Sequence, residues 1–144
     1  MTSKEDKSLQ EIKVFRAQHG SNPLQVEALA VISGSDVTVI FGGGTHYHIG
    51  ATALAVPRPS LANPNQTSAS ASVICVSGHK EDEIARWAAL SLASILNCIV
   101  VVCVGLHVDE ASADDIKIML DNFDKVSTDI TMVLQEYYSS QKTS

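Results

Sequence analysis

Apolar residues alternate with polar ones through the first third of the chain. From Gln10 to about Gln18, Ile12 and Val14 alternate with polar neighbours, and Leu24, Val26, Ala28, Ala30 and Ile32 resume the period of two after "HGSNP". A period of two is the mark of strands with one face turned to a core, so two strands are predicted here. "SGSD" makes a tight turn into "VTVIF", a third strand. A glycine-rich segment leads to "HIGATALAV", a fourth, which Pro57 and Pro59 should end because proline cannot donate to a ladder. After a polar loop, "ASASVICVS" makes a fifth.

The period then changes. In "GHKEDEIARWAALSLASILN" the acidic Glu81, Asp82 and Glu83 suit the positive end of a helix, and Ile84, Trp87, Ala88, Leu92 and Ile95 form an apolar stripe. "CIVVVCVGL" is apolar on both faces, as a central strand is. In the last segment Ser112 with Asp115 forms a cap, and Ile116, Met119, Phe123, Val126, Ile130, Val133 and Tyr137 recur at steps of three and four. This predicts a helix of roughly 25 residues, some 37 Å long. The order is βββββαβα. It predicts an α+β fold: a mainly antiparallel sheet of about six strands with both helices on one face. Either the overhanging helix or the uncovered sheet face is a place for a second copy, so a homodimer or higher homo-oligomer is expected.

Length allows one domain with its own core. The expected division is a flexible tail over 1–9, a single domain over 10–138 and a flexible tail over 139–144. A net charge of −6 argues against a nucleic-acid or anionic-membrane surface. The amino terminus "MTSKEDKSLQE" has none of the apolar region of a signal peptide, no later run approaches a membrane span, and a cytoplasmic protein is expected. Cys75, Cys98 and Cys103 all lie in apolar segments and read as small buried hydrophobes in a reducing compartment.

The segment "FGGGTHYHIG" exceeds what reversing the chain requires, since a hairpin needs only two turn residues. If the third, fourth and fifth strands form a meander and a helical crossover leads to the sixth, the ends of strands three, five and six share one edge. "GGGTHYH", "GHKED" and "GLHVDEAS" follow those ends and contain His46, His48, His79 and His107, four of the five histidines. The same edge has Gly42, Gly43, Gly44, Gly78 and Gly105, and Lys80 and Arg86 near a helix start. Glycine amides, a helix start and cations suit a phosphate, and imidazoles with a carboxylate suit a divalent metal. Taken singly, each element also has a plain structural reading: a wide turn, an exposed HxH, a capped turn, a surface ion pair. No GxSxG, no GK[ST] after the glycines and no strand-glycine-helix fingerprint occurs, so serine hydrolase, Walker-type and dinucleotide-binding readings are set aside.

"GGGTHYHIGATALAVPRPSL", "SGHKEDEIARWAA" and "GLHVDEAS" resemble the signature of the LpdD-like family, prenylated-flavin chaperone-like proteins associated with UbiD-type hydroxyarylic-acid decarboxylases. The resemblance covers roughly Ala28 to Asn122 and implies a fold similar to the small proteasome assembly chaperones. It implies binding without turnover: a protein that holds prenylated FMN with a divalent metal and passes it from a flavin prenyltransferase to the decarboxylase. Carried over by position, the resemblance gives Gly43, Gly44, Thr45, Gly50, Arg58, Lys80 and Arg86 to the cofactor and His48, His79, His107 and Asp109 to the metal. His46 falls where the family is expected to vary, and its role stays open. The alternatives are a metal-dependent enzyme built on the same histidines, for which no Glu beside the cluster offers an obvious base although Asp109 or Glu110 could serve, and a structural accessory subunit of the decarboxylase.

Overall fold

The alternation of the second, third and fourth strands resolves into a single buried sheet face, whereas in the first strand Ile12 and Val14 are exposed and Phe15 and Ala17, on its other face, pack against the core. The computed structural model describes residues 11–76 and 81–142. In it, β1 (Ile12–His19), β2 (Val26–Ser33), β3 (Asp36–Gly44), β4 (Ala51–Pro59) and β5 (Thr67–Cys75) precede α1 (Asp82–Leu96), β6 (Val100–His107) and α2 (Ala113–Lys142). This is the expected α+β order. Val26, Ala28, Ala30 and Ile32 of β2, Val37, Val39 and Phe41 of β3, Ala51, Ala53 and Ala55 of β4, and Val100, Val102 and Val104 of β6 turn the same way and are buried. Each of the larger side chains contributes about 1.5–3 kcal/mol by leaving water.

The sheet order is β1-β2-β3-β6-β4-β5. Four neighbouring pairs are antiparallel, and β3 with β6 is parallel, so the sheet is mixed. This corrects the expected meander: β6 lies between β3 and β4. The physical reason is its composition, since Val101 and Cys103 on its second face are as apolar as the buried valines on its first and favour a central place. The directions survive the change of wiring. β3 and β6 run together, β4 runs against β6 and β5 against β4, so the ends of β3, β5 and β6 still share one edge.

Two boundaries differ from the sequence pattern. β3 keeps all three glycines of the triplet within its ladder, opposite Val26 and Glu27 of β2 and opposite Gly105 to His107 of β6. β4 begins only at Ala51 and runs through Pro57 to Pro59. Its pairing with β6 stops at Ala55, so the proline-bearing end has only β5 beside it, where a missing donor costs least.

Helix α1 covers β4, β5 and β6, and α2 covers mainly β1 and β2, on the same face. The reciprocal cap of α2 forms as expected: the Asp115 amide donates to Ser112 Oγ, and the Ser112 amide donates to the Asp115 carboxylate, both at 3.1 Å. Met119, Phe123, Val126, Ile130 and Leu134 make its buried stripe, and the Phe123 ring lies 4.8 Å from that of Phe41. At 30 residues, roughly 45 Å, α2 overshoots strands of eight or nine residues and continues to Lys142, past the boundary expected at 138. The tail expected over 1–9 lies outside the described residues.

The opposite sheet face carries Val14, Ile40, Leu54 and Ile74 with exposed side chains, and neither helix covers it. Cys98 is buried and Cys103 partly so, but Cys75 is exposed at the end of β5, an edge strand, and does not behave as a core residue. Among the described residues no helix is long and apolar enough to cross a membrane.

Candidate functional site

Because β6 lies between β3 and β4, the chain leaving β3 must step across the end of β6 to enter β4. Residues 45–50 make that crossing over Gly105, where the His48 carbonyl occupies the space a β-carbon would need. Gly44, at φ +87°, turns the chain into the crossing against the His107 carbonyl. The Tyr47 ring lies over Gly42, where a β-carbon would approach it to 2.8 Å, and the Tyr47 hydroxyl donates to the Glu27 carboxylate at 2.8 Å. Partial burial, and next the hydrogen bond to Glu27, push the Tyr47 phenol above its ordinary pKa. The surplus of glycine thus answers first to a close backbone crossing.

Amide groups along the crossing are already engaged. Gly44 N–H donates to Gln25 O at 3.1 Å, Thr45 N–H to His107 O at 2.8 Å, and Gly50 N–H to Val104 O at 2.8 Å. Thr45 Oγ1 donates to the His107 carbonyl at 3.3 Å and accepts the Asp109 amide at 3.0 Å, pinning the crossing to the segment after β6. These amides are committed to the fold and do not form an open phosphate cradle.

The crossing and the end of β6 gather three imidazoles. His46 Nε2 and His107 Nε2 each lie 3.0 Å from Asp109, on Oδ2 and Oδ1 respectively, so one carboxylate joins two rings from different segments. The hydrogen bond from His107, which outweighs an opposing effect of desolvation with the help of the charge of His46, holds the Asp109 carboxyl below its usual range. His48 Nε2 meets Glu81 Oε1 at 3.0 Å in the better shielded part of the edge, with the two side chains 22% and 11% exposed. The His107 ring stands 5.8 Å from that of His46 and 6.1 Å from that of His48. An ionised carboxylate only accepts, so Nε2 of each ring carries the proton, and Nδ1 accepts when the ring is neutral and donates when it is protonated.

The described structure brings together Gly43, Gly44, Thr45, His48, Gly50, His107 and Asp109 from the expected set, with His46 added. His79 and Lys80 lie outside the described residues. Arg86 is exposed on α1. Arg58 is not brought to the edge: it lies seven residues along β4 from Ala51, roughly 23 Å away, and donates to Ser70 Oγ at 2.8 Å and the Pro59 carbonyl at 3.1 Å. Of the expected metal ligands, the three that lie within the described residues, His48, His107 and Asp109, do not form a ready centre. Among the described residues no group of three or more His, Cys, Asp or Glu is arranged to hold a metal ion. The Nε2 atoms meet carboxylates and not a common point.

Two features were missed by sequence reasoning. The first is Glu81, which reads as an acidic helix start; it stands at the N-cap position of α1 without a side-chain cap bond and turns its carboxylate to His48. Its packing partner Gly50 lies in a distant segment, so no local signal pointed to the pairing. The second is a cavity of about 420 Å³ between the start of α1, the end of β6 and the start of α2, lined by Glu81, Ile84, Leu106, His107, Ile116, Met119 and neighbouring residues. It adjoins the histidine cluster through His107 and Glu81. Its size is within the range of small-molecule sites.

Residues 20–135 match the family model described as the prenylated flavin chaperone LpdD-like domain. Among solved structures the chain is similar to one in the crystal structure of a chaperone complex for yeast 20S proteasome assembly, with 13% identity over 86% of this chain and 98% of that chain and a TM-score of 0.56. At that identity the likeness is one of fold, and it agrees with the fold expected from the sequence. No curated protein matches the chain.

Proposed function

Since the chain belongs to the prenylated flavin chaperone LpdD-like family, we propose that it is a binding protein without turnover of its own, which holds prenylated FMN at the edge formed by His46, His48, His107 and Asp109. In this reading it receives the cofactor from a flavin prenyltransferase and delivers it to a UbiD-type decarboxylase, working in the cytoplasm as a homodimer. The observation that carries the reading is the meeting of three imidazoles from two chain segments beside a 420 Å³ cavity that shares His107 with them.

The phosphate of such a ligand suits protonated imidazoles better than the glycine amides, which already donate within the fold. Gly43, Gly44, Thr45 and Gly50 then serve the site by letting the crossing lie close to β6. Lys80 and Arg86 are the cations proposed for the phosphate, and Arg58 leaves the proposal because of its distance. A divalent metal held by His48, His79, His107 and Asp109 would take Nδ1 of His48, since Nε2–H already donates to Glu81, the kind of carboxylate partner that a ligating imidazole commonly has. No step of the proposal depends on it. One observation favours the alternative of a metal-dependent enzyme: Glu81 supplies beside His48 the carboxylate that the sequence reading did not find.

The test mixes purified protein with reduced prenylated FMN, with and without a divalent metal, and reads the flavin spectrum after gel filtration. Stoichiometric co-elution is expected. Absence of flavin from the protein peak under both conditions rejects the proposal, and dependence on the metal would restore the metal to it.

A further inference from the structure

The cavity between α1, β6 and α2 has a largely apolar lining with three polar residues. Glu81, Glu83 and His107 are its polar lining residues, whereas Ile84, Leu106, Ala111, Met119 and Leu120 are among the apolar ones. Its walls come from three elements. Met119 is buried, at 5% exposure, and Leu120 is 42% exposed at the rim.

The charges decide which end of an amphipathic anion enters. Two glutamates on the lining repel a phosphate, whereas His46 and His48, two of the three imidazoles that would attract one, belong to the crossing and do not line the cavity. A ligand with its anion at the histidines therefore turns its uncharged end into the cavity. We infer that the cavity seats the hydrocarbon-bearing edge of the ring system, the part that distinguishes prenylated from plain FMN, and so selects the modified cofactor. The inference rests on the proposed flavin function and adds an orientation and a source of specificity. Burying even two additional methylenes corresponds to about a tenfold preference.

The single tryptophan gives a readout independent of any partner enzyme. Trp87 follows Ile84 by one turn on α1 and its ring lies 6.4 Å from that of Phe123, so a flavin in the cavity should quench its fluorescence. Prenylated FMN and plain FMN are titrated into the parent, into A111F, which fills the cavity, and into L120D, which charges its rim. The parent should bind prenylated FMN at least about tenfold more tightly than FMN, and both variants should lose that preference. Circular dichroism identifies a variant that fails to fold, and the other variant then decides. Equal affinity of the parent for the two flavins, or a preference retained in a folded variant, overturns the cavity assignment and leaves flavin binding standing. If the parent binds neither flavin, the proposed function falls and this inference with it.

Discussion

The carbonyl oxygen of His48 rests directly on Gly105, so the chain between β3 and β4 passes over β6 with no room for a side chain beneath it. The same contact sets the height of the crossing and hence where the rings of His46 and His48 come to stand.

A Gly105→Ala substitution should therefore lift the crossing. The added β-carbon meets main chain, which cannot rotate away, and the expected cost is about 1–3 kcal/mol of stability, with loss of flavin retention. Thermal unfolding and gel filtration with prenylated FMN measure the two effects. Parent-like values in both would mean that the crossing is free to move.

His48→Ala removes the imidazole from a mostly buried carboxylate. Loss of a hydrogen bond to a charged group costs about 1.5–3 kcal/mol, which denaturant titration would detect. The same loss should be smaller in a protein that already carries Glu81→Gln, and a double-mutant cycle reads the difference. If His48→Ala and His107→Ala both retain flavin like the parent, these residues do not hold the cofactor.

Asp109 makes a prediction about acid. Its folded-state pKa is depressed, first by the hydrogen bond from His107, so its contribution is present above the unfolded value of about 3.9 and is lost as pH falls through the lower folded value. Asp109→Asn should remove this component from the acid-unfolding curve below about pH 4. It should also change the ring-proton NMR shifts of both His46 and His107. A change confined to one ring would show that the carboxylate does not bridge the pair.

The strand and helix order was legible because most elements carry the period of one buried face, while β6 shows itself as a central strand by being apolar on both. Wiring was less so: alternation places Ala53 and Val102 on the core side but does not say that they are neighbours, and the insertion of β6 depends on partners distant in sequence. The edge could be located from strand directions, which the inserted strand does not alter. The pairings within it were hidden for another reason. Glu81 at a helix start has a sufficient local explanation in the helix dipole, so nothing in its neighbourhood points to His48, 33 residues earlier. The glycines likewise suit both a phosphate cradle and a close crossing, and only their engaged amides separate the two.

At the other end of the sheet, Tyr138 donates to the Ser35 carbonyl at 3.0 Å. Its phenol is pushed well above the ordinary value, chiefly by burial and then by its contact with Cys98. A raised folded-state pKa means that the contribution is fully present below the unfolded value of about 10 and declines as pH rises through the folded value. The protein should accordingly lose stability above about pH 10, and Tyr138→Phe should flatten that part of the curve. Equal alkaline slopes in parent and variant would assign the loss to other groups, such as Tyr47.

The open sheet face should be the surface of self-association. Six strands at ~4.8 Å spacing and eight residues at ~3.3 Å rise give a face of roughly 29 by 26 Å, about 750 Å². That approaches the ~800 Å² per partner of a standard interface. Ile40 and Leu54, on either side of central β6, are 44% and 42% exposed, more than an isolated monomer needs so close to the middle of its sheet. Leu54→Lys would place a like charge from each copy within such an interface. It should convert a dimer to monomer in sedimentation velocity without changing the far-UV circular dichroism, because the site and the core lie elsewhere. A parent that sediments as a monomer at every concentration, or a variant that stays dimeric, would move the interface off this face, with the overhanging end of α2 as the next surface to substitute.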